Sequence, residues 1–335
     1  MSFTQTNDVT AVVLTMGETT TRHAIDSLRR QIMRPREVIV VRGKAPFHKA
    51  LNTGAAQVKT PFFVQVDADM ILDPHCIAGL RGNMSRRTGI VVARLRDALM
   101  EQVVGVKLFR SKCFESEVFQ NSISPDTDFV NAIARRGWET IYIGSLGADQ
   151  WATFGEHRPT YTFTYTYHKS LREGRRYRHR RSISTLRWHL GRLELSRNPS
   201  ALVAQIGLAH GIFLNADWDL HDTTHYDESF ARLDAFLRLP QTNRGRVTSG
   251  LPPAETPPAE SFRRVYRLGR DLGDAGDSQA FVQLMRHLDH TGSIDRAWIL
   301  KIALCQGLLS AAADEASIEA DFRVLQDFLG MSEPV

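Results

Sequence analysis

Asp67 and Asp69 stand one residue apart, directly after the apolar run Pro61-Phe62-Phe63-Val64-Gln65-Val66. If that run is a buried strand, it delivers two carboxylates at its carboxyl end, where open α/β sheets bind their ligands. Hard cations such as Mg²⁺ and Mn²⁺ take oxygen ligands, and Mg²⁺ usually binds through one or two carboxylates together with the phosphates of a substrate. The chemistry implied is cation-assisted handling of a diphosphate. An isolated Asp-x-Asp is also an ordinary polar turn, so its meaning depends on the elements around it.

Those elements alternate. Ala11-Val12-Val13-Leu14 is a short β-rich run. From Thr19 to Met33, Ala24, Ile25, Leu28 and Ile32 recur at helical spacing behind Thr19 or Thr20 as N-cap, and Arg34-Pro35 ends the helix. Val38-Ile39-Val40-Val41 predicts a second strand, Phe47 to Val58 a short helix, and Pro61 to Val66 a third strand. Asp73 and Pro74 predict another helix start, as N-cap and first-turn proline. Strands are expected at Gly89 to Leu95, Val103 to Phe109 and Glu139 to Ile143, with a helix from Ser124-Pro125 to Gly137 between the last two. Repeated β-α-β units predict an α/β fold with a mostly parallel sheet flanked by helices. Beyond Glu156 helical signals dominate. The Pro-, Thr- and Gly-rich stretch from Pro240 to Ser261 reads as a linker or surface loop, and Phe262 to Leu329 as wholly helical. No internal repeat stands out.

The 335 residues suffice for one large domain or two ordinary ones, and 42% hydrophobic with 24% charged residues is a globular composition. Cys76, Cys113 and Cys305 are scattered without zinc or disulfide spacing, which fits a reducing cytoplasm. Met1 to Thr10 lacks the basic and apolar regions of a secretory signal, and no apolar segment approaches bilayer-spanning length. Cytoplasmic location is expected, with any membrane contact peripheral at the inner face. The net charge of +5 is unevenly spread: from Lys169 to Arg187 Glu173 is the only acid. Such a block could rest on anionic headgroups, grip a phosphorylated acceptor or bind nucleic acid, or be a solvated helix face.

Taken in order, these motifs resemble the GT-A glycosyltransferases, in particular glycosyltransferase family 2. Ala50-Leu51-Asn52-Thr53-Gly54-Ala55-Ala56 followed by Thr60 to Asp69 is similar to the family's short helix and the strand that delivers its Asp-x-Asp. Gly105 to Arg110 resembles the strand that ends in arginine before the acceptor loop. Pro125-Asp126-Thr127-Asp128 with Ala134-Arg135-Arg136-Gly137-Trp138 resembles the helix that carries the family's Glu-Asp pair. The resemblance covers roughly the first 170 residues. It departs in two places: Pro125 replaces the Glu of that pair, and Val41-Arg42-Gly43 stands where many members end the second strand in an Asp that reads uracil. A guanidinium cannot accept the imide proton of uracil.

The resemblance implies a metal-dependent, inverting transfer of a sugar from a nucleotide-diphosphate donor to a glycan, lipid-linked or protein acceptor, as in surface polysaccharide synthesis. Asp67, Asp69 and His157 would hold Mn²⁺ or Mg²⁺, with His168 competing for the histidine position. Asp126 would be the catalytic base and Asp128 its fallback, although acids in a first helical turn are favoured by the helix dipole alone. Thr15, Arg42, Lys49, Asn52 and Asp67 would neighbour the nucleotide, with UDP the favoured donor despite Arg42. The organisation expected is a GT-A nucleotide-sugar-binding domain over residues 1–168, a basic helical extension over 169–239, the linker at 240–261 and a helical region over 262–335.

Competing readings are a sugar nucleotidyltransferase and a non-catalytic binder of anionic surfaces or nucleic acid on a degenerate GT-A fold. Thr15-Met16-Gly17-Glu18 lacks the glycines and lysine of a nucleotidyltransferase loop, no Walker A pattern occurs, and the acids argue against an inactive fold. Tyr161, Phe163, Tyr165 and Tyr167 alternate with threonines, as in a two-faced strand or an aromatic platform for sugar or lipid. Asp217 to Asp222 with His225 and Asp227 reads as a capped loop before a helix at Glu228 to Leu237 rather than a second metal site.

Overall fold

The computed structural model describes residues 4–147, 150–214, 226–238, 251–288, 294–310 and 314–331. Two compact units divide the chain, Met1–Thr160 and Tyr161–Val335. Asp217 to Asp222 and His225 lie outside the described residues, as does the expected linker from Pro240 to Gly250.

The first unit opens with β1 (Thr4–Gln5) and β2 (Val9–Thr15), then α1 (Thr21–Arg29), β3 (Met33–Arg34), β4 (Val38–Arg42), α2 (Phe47–Ala55) and β5 (Phe62–Asp67). Every residue of β2 is buried, as a strand covered on both faces requires. β4 and β5 flank β2 in parallel, with Thr15 opposite Arg42 and Leu14 opposite Asp67. A short β6 (Met70–Leu72) follows the acidic motif, and only then α3 (Cys76–Gly82), β7 (Thr88–Asp97), β8 (Glu101–Arg110), α4 (Cys113–Ser116) and α5 (Pro125–Arg135). The helix expected from Asp73 thus starts later, with His75 at its N-cap, while the Asp73 carboxylate pairs with Arg96 at 3.2 Å. β9 (Glu139–Tyr142), β10 (Ser145–Gly147), β11 (Gln150–Trp151) and β12 (Thr153–His157) complete the unit.

The main sheet runs β4-β2-β5-β8-β7-β12-β6, with β9 beside β7. β8 is antiparallel to both β5 and β7, so β5 and β7 run the same way, and β12 is parallel to β7. The carboxyl ends of β5, β7 and β12 therefore emerge together and carry Asp67, Asp97 and His157. One face of the sheet buries Val13, Val64, Val66 and Leu108 with Leu28 and Leu80. The other buries Val12, Phe63 and Phe109 with Leu51, Phe119 and Phe129. Each such side chain contributes roughly 1.5–3 kcal/mol through its removal from water. Phe119 stacks on Phe129 at 4.4 Å, which seats α5 and the loop before it on this second core.

The second unit is helical: α6 (Phe163–His179), α7 (Ile183–Leu195), α8 (Ala201–Phe213), α9 (Asp227–Arg238), α10 (Pro258–Ala275), α11 (Ser278–Leu288), α12 (Ile294–Leu309) and α13 (Glu315–Leu329). The aromatic run is not a strand: Thr162 caps α6, and Tyr167 is wholly buried. Helix α6 also runs across residue 168, and the break between units falls at Thr160–Tyr161. Much of the basic block is committed within the unit. Arg176 pairs with Glu173 at 2.9 Å, Arg178 donates to the Leu214 carbonyl at 2.9 Å, Arg181 pairs with Asp327 at 3.1 Å, and Arg175 is buried.

A recurrent spacing, not expected from the sequence, links α6–α8 with α10–α12, and in each set the first and third helices pack together. The spacing Phe163, Tyr167, Gly174 recurs as Phe262, Tyr266, Gly273, and Gly207-Leu208 recurs as Gly307-Leu308. Tyr167 shares a hydrogen bond of 2.6 Å with His210, and at the matching place Tyr266 donates to Ser310 at 2.8 Å. Buried Leu186, Leu190 and Leu193 of α7 answer to Phe281, Met285 and Leu288 of α11. In each set the first and third helices cross on glycine: a Cβ on Gly211 would stand 2.1 Å from the Leu171 carbonyl, and one on Gly307 2.0 Å from that of Tyr266. Burial lowers the pKa of His210 to about 4, so it stays a neutral hydrogen-bonding partner.

Gly307→Ala should destabilise the protein by about 1–3 kcal/mol through overpacking, despite alanine's better helix propensity. Gly191→Ala, on α7 with nothing near its added Cβ, should stabilise by up to about 1 kcal/mol. Chemical denaturation midpoints measured side by side check both signs.

Candidate active site

Asp67 ends β5 and Asp69 lies in the tight connection to β6. Ala68 N donates to the Leu14 carbonyl at 3.0 Å and Arg158 N to the Asp69 carbonyl at 2.7 Å, so the backbone of the motif is tied to both β2 and the end of β12. The Asp67 carboxylate accepts from Gln65 Nε2 at 2.7 Å. Burial, and then the neighbouring negative charge of Asp69, raise the Asp67 pKa to about 6; Gln65 and Lys107 oppose the shift, and Asp126 adds to it.

His157 is the last residue of β12, opposite Met70 of β6 on one side and Asp97 of β7 on the other. Its Nε2 lies 3.3 Å from Asp69 Oδ2 and its Nδ1 2.6 Å from Asp97 Oδ2. The other Asp97 oxygen accepts the backbone N–H groups of Leu99 and Met100 at 2.8 and 2.7 Å. Gly155 makes this placement possible: its φ is +153°, and a Cβ there would sit 2.4 Å from the Ile71 carbonyl across the β6–β12 pairing.

On the opposite flank, Lys107 of β8 stands in register with Gln65 of β5 and donates to Asp126 Oδ2 at 2.8 Å. Asp126 occupies the first turn of α5, and its buried Oδ1 has no hydrogen-bond partner among the described residues. Asp128, two residues on, accepts a short hydrogen bond from the Ser122 hydroxyl and ties down the loop that precedes the helix. The two acids of this turn therefore do different work.

Other expected site residues fall into two groups. Thr15 and Arg42 reach the same sheet end as Asp67, with Arg42 exposed there, and Lys49 is exposed on α2. The Thr15 hydroxyl, however, bonds to the Glu18 carboxylate at 2.7 Å, and that carboxylate also accepts Met16 N at 2.8 Å. Asn52 uses both ends of its amide on Phe119, donating to its carbonyl at 2.8 Å and accepting its N–H at 3.0 Å. The next residue but one, Gly54, would drive a Cβ to 2.4 Å from Val12, so Asn52-Thr53-Gly54 seats α2 on the sheet and pins the loop before α5. His168 lies in the second unit, 3.5 Å from Asp227.

Gln65, Asp97 and Lys107 were not singled out from sequence. Two of them carried a signal, a lone polar residue in an otherwise apolar strand: Gln65 in Phe63-Val64-Gln65-Val66 and Lys107 in Val106-Lys107-Leu108. Asp97 had none, because its role depends on a strand that arrives sixty residues later in the chain.

Among the described residues, no three His, Cys, Asp or Glu side chains form a ready-made ion cage. The arrangement is instead an open arc, Asp67, Asp69 and His157, facing the Lys107–Asp126 pair. An arc of this kind suits a cation that takes its remaining ligands from substrate phosphates and water. The donor set is oxygen with one imidazole, which fits Mn²⁺ or Mg²⁺. The raised pKa of Asp67 marks a local shortage of positive charge that a bound cation would relieve.

Residues 18–140 match the sequence profile of Glycosyl transferase family 2. The match falls within the first unit, which over these residues is similar to glycosyltransferase family 2. None of the curated proteins matches this chain. Similar solved structures include the mannosyltransferase PcManGT from Pyrobaculum calidifontis in complex with GDP-Man and Mn²⁺, at 12% identity over 89% of this chain and 86% of that one, TM-score 0.42. TarS 1–349 of S. aureus in complex with UDP-GlcNAc is 11% identical over 88% of this chain and 90% of that one, TM-score 0.35. The bifunctional IspDF from Campylobacter jejuni is 11% identical over 44% of this chain, TM-score 0.32, and this chain spans about half its length, 52%. The chemistry of the site rests on this chain's own residues. No helix among its described residues is long and apolar enough to cross a membrane.

The Asp67 pKa sets a sign for the metal-free protein. With its folded pKa raised, Asp67 binds its proton more tightly folded than unfolded, so its cost to stability appears as pH rises from about 4 to about 6 and stays constant above. Asp67→Asn should therefore raise the melting temperature in chelator at pH 7.5 and lose that advantage near pH 4. Paired thermal melts at the two pH values check this; an equal difference at both would contradict the assigned shift.

Proposed function

We propose that the protein transfers a sugar from a nucleoside-diphosphate donor to a hydroxyl acceptor in one displacement that inverts the anomeric centre, with a divalent cation at Asp67, Asp69 and His157. The single observation that carries this reading is the division of the site into a charge-deficient acidic arc and a separate, lysine-held carboxylate. Asp69 and Asp67 would position the donor diphosphate through the cation. A bound Mg²⁺ or Mn²⁺ would supply Lewis acidity to the departing diphosphate.

Asp126 is the base in this scheme. Lys107 holds Oδ2 at 2.8 Å, which fixes the orientation of the group, and the half-exposed carboxylate would take the acceptor proton as the new bond forms. Asp128 is the weaker candidate because its oxygen is engaged by Ser122. Donor and acceptor held between the two flanks would react with little further loss of freedom.

The loop after β2 argues against the nucleotidyltransferase alternative. Its hydroxyl and amide donors at Thr15 and Met16 already bond to the Glu18 carboxylate, where such an enzyme would need them for phosphate. Hydrogen bonds from Thr15 and the backbone hold the Glu18 pKa below its usual value despite burial, so an anion occupies that loop from within the chain. The acceptor, the sugar and the base remain to be read by binding. Arg42 at the end of β4 favours bases rich in acceptor atoms over uracil's imide donor, which sets UDP, GDP, CMP and TDP against each other.

Thermal shift with each of these nucleotides, with and without Mn²⁺, is the primary test. One diphosphate should stabilise the protein only when metal is present, and Asp69→Ala should abolish that gain; stabilisation that survives Asp69→Ala removes the support for the cation arc. Asp126→Asn should keep the nucleotide-dependent shift while lowering transfer by about 10²–10⁴-fold. Retained turnover would move the base elsewhere.

A further inference from the structure

We infer that Asp97 is the positioning residue that presents His157 Nε2 toward Asp69 as an electron-pair donor, and so sets cation affinity without touching the cation. The inference rests on the cation reading above and adds a residue that neither the Asp-x-Asp motif nor the family resemblance supplies.

The geometry leaves the imidazole little choice. The Asp97 side chain is fully buried, and one oxygen is spent on the N–H groups of Leu99 and Met100 at the β7–β8 hairpin. Its other oxygen faces His157 Nδ1 at 2.6 Å. An ionised carboxylate can only accept hydrogen bonds, so the shorter Asp97 contact places a proton on Nδ1, and a cation between Nε2 and Asp69 would then meet the lone pair of a neutral ring. Nε2 lies 3.3 Å from Asp69 Oδ2. Outer carboxylates of this kind fix ring orientation and tautomer in metal sites generally, and their loss typically costs 10–100-fold in affinity.

The strand order makes the contact stiff. β12 is wedged between β7 and β6, with His157 opposite Asp97 on one side and Met70 on the other. The hairpin that Asp97 caps and the imidazole it orients are therefore one mechanical unit. Asp97 reaches both.

Asp97→Asn separates tautomer control from shape. The amide oxygen can still accept the two hairpin N–H groups, but its NH₂ then faces Nδ1, and the ring must move its hydrogen to Nε2. Mn²⁺ binding would be followed by electron paramagnetic resonance with UDP or GDP present, for the wild type, Asp97→Asn, His157→Ala and the double variant. Asp97→Asn should weaken Mn²⁺ binding by about 10–100-fold, and the double variant should bind no worse than His157→Ala, as expected of residues acting through one group. Asp97→Asn within about twofold of wild type while His157→Ala is weakened would overturn the positioning role. Wild-type affinity in His157→Ala would overturn the cation reading itself. Should Asp97→Asn fail to fold, ¹⁵N resonances of the wild-type His157 ring with Mg²⁺ and the nucleotide decide: a proton on Nδ1 is expected, and a proton on Nε2 overturns the inference.

Discussion

Crowding of like charge is the constraint from which the site follows. Asp67, Asp69, Asp97 and Asp126 gather at one end of the sheet, and each carboxylate is accommodated by a different device. Asp97 is compensated by two backbone amides and an imidazole, and Asp126 by Lys107. Asp69 faces the same imidazole across 3.3 Å. Asp67 has a neutral amide from Gln65 and a more distant lysine, and burial with the Asp69 charge raises its pKa to about 6. Removing two charges from water costs several kcal/mol each unless they are well paired. A protein that keeps this acid where apolar packing would be cheaper leaves room for a cation that arrives with its substrate.

Strand register turns that constraint into geometry. Gln65 and Lys107 are direct partners across β5 and β8, and each holds one carboxylate, so the spacing of Asp67 and Asp126 is set by the sheet rather than by a loop. His157 is likewise placed by two pairings at once, and Gly155 supplies the close approach that lets β12 meet β6. The Phe119–Phe129 stack and the Asn52 clamp do the same for α5 from the other face. Sites carried on rigid elements hold their geometry more closely than sites on loops.

Much of this was legible in the residues. Apolar runs located the strands from Val9 to Arg110 because a sheet covered on both faces needs them, and the order of motifs pointed to Asp67, Asp69 and Asp126. Three things escaped for physical reasons. The start of α3 was misplaced because β6 needed the residues after Asp69 and Asp73 serves an ion pair instead of a cap. Asn52 looked like a ligand-binding residue, whereas its amide fits the backbone of Phe119, a partner far along the chain that spacing cannot reveal. The recurrent spacing in the helical unit rests on a few glycines, tyrosines and core positions, because helix crossings constrain those sites and leave the rest of the surface free to vary. Tyr161 to Tyr167 shows the same limit in reverse: alternation suggested a strand, and a capped amphipathic helix won.

The claim that these side chains build one divalent-cation and diphosphate site is tested most directly by anomalous diffraction from crystals holding Mn²⁺ and the nucleoside diphosphate that stabilises the protein. A manganese peak within coordination reach of Asp69 and His157 Nε2, bridged to the phosphates and lying on the far side of Lys107 from Asp126, is the predicted result. Nucleotide density with manganese bound away from these residues would contradict it.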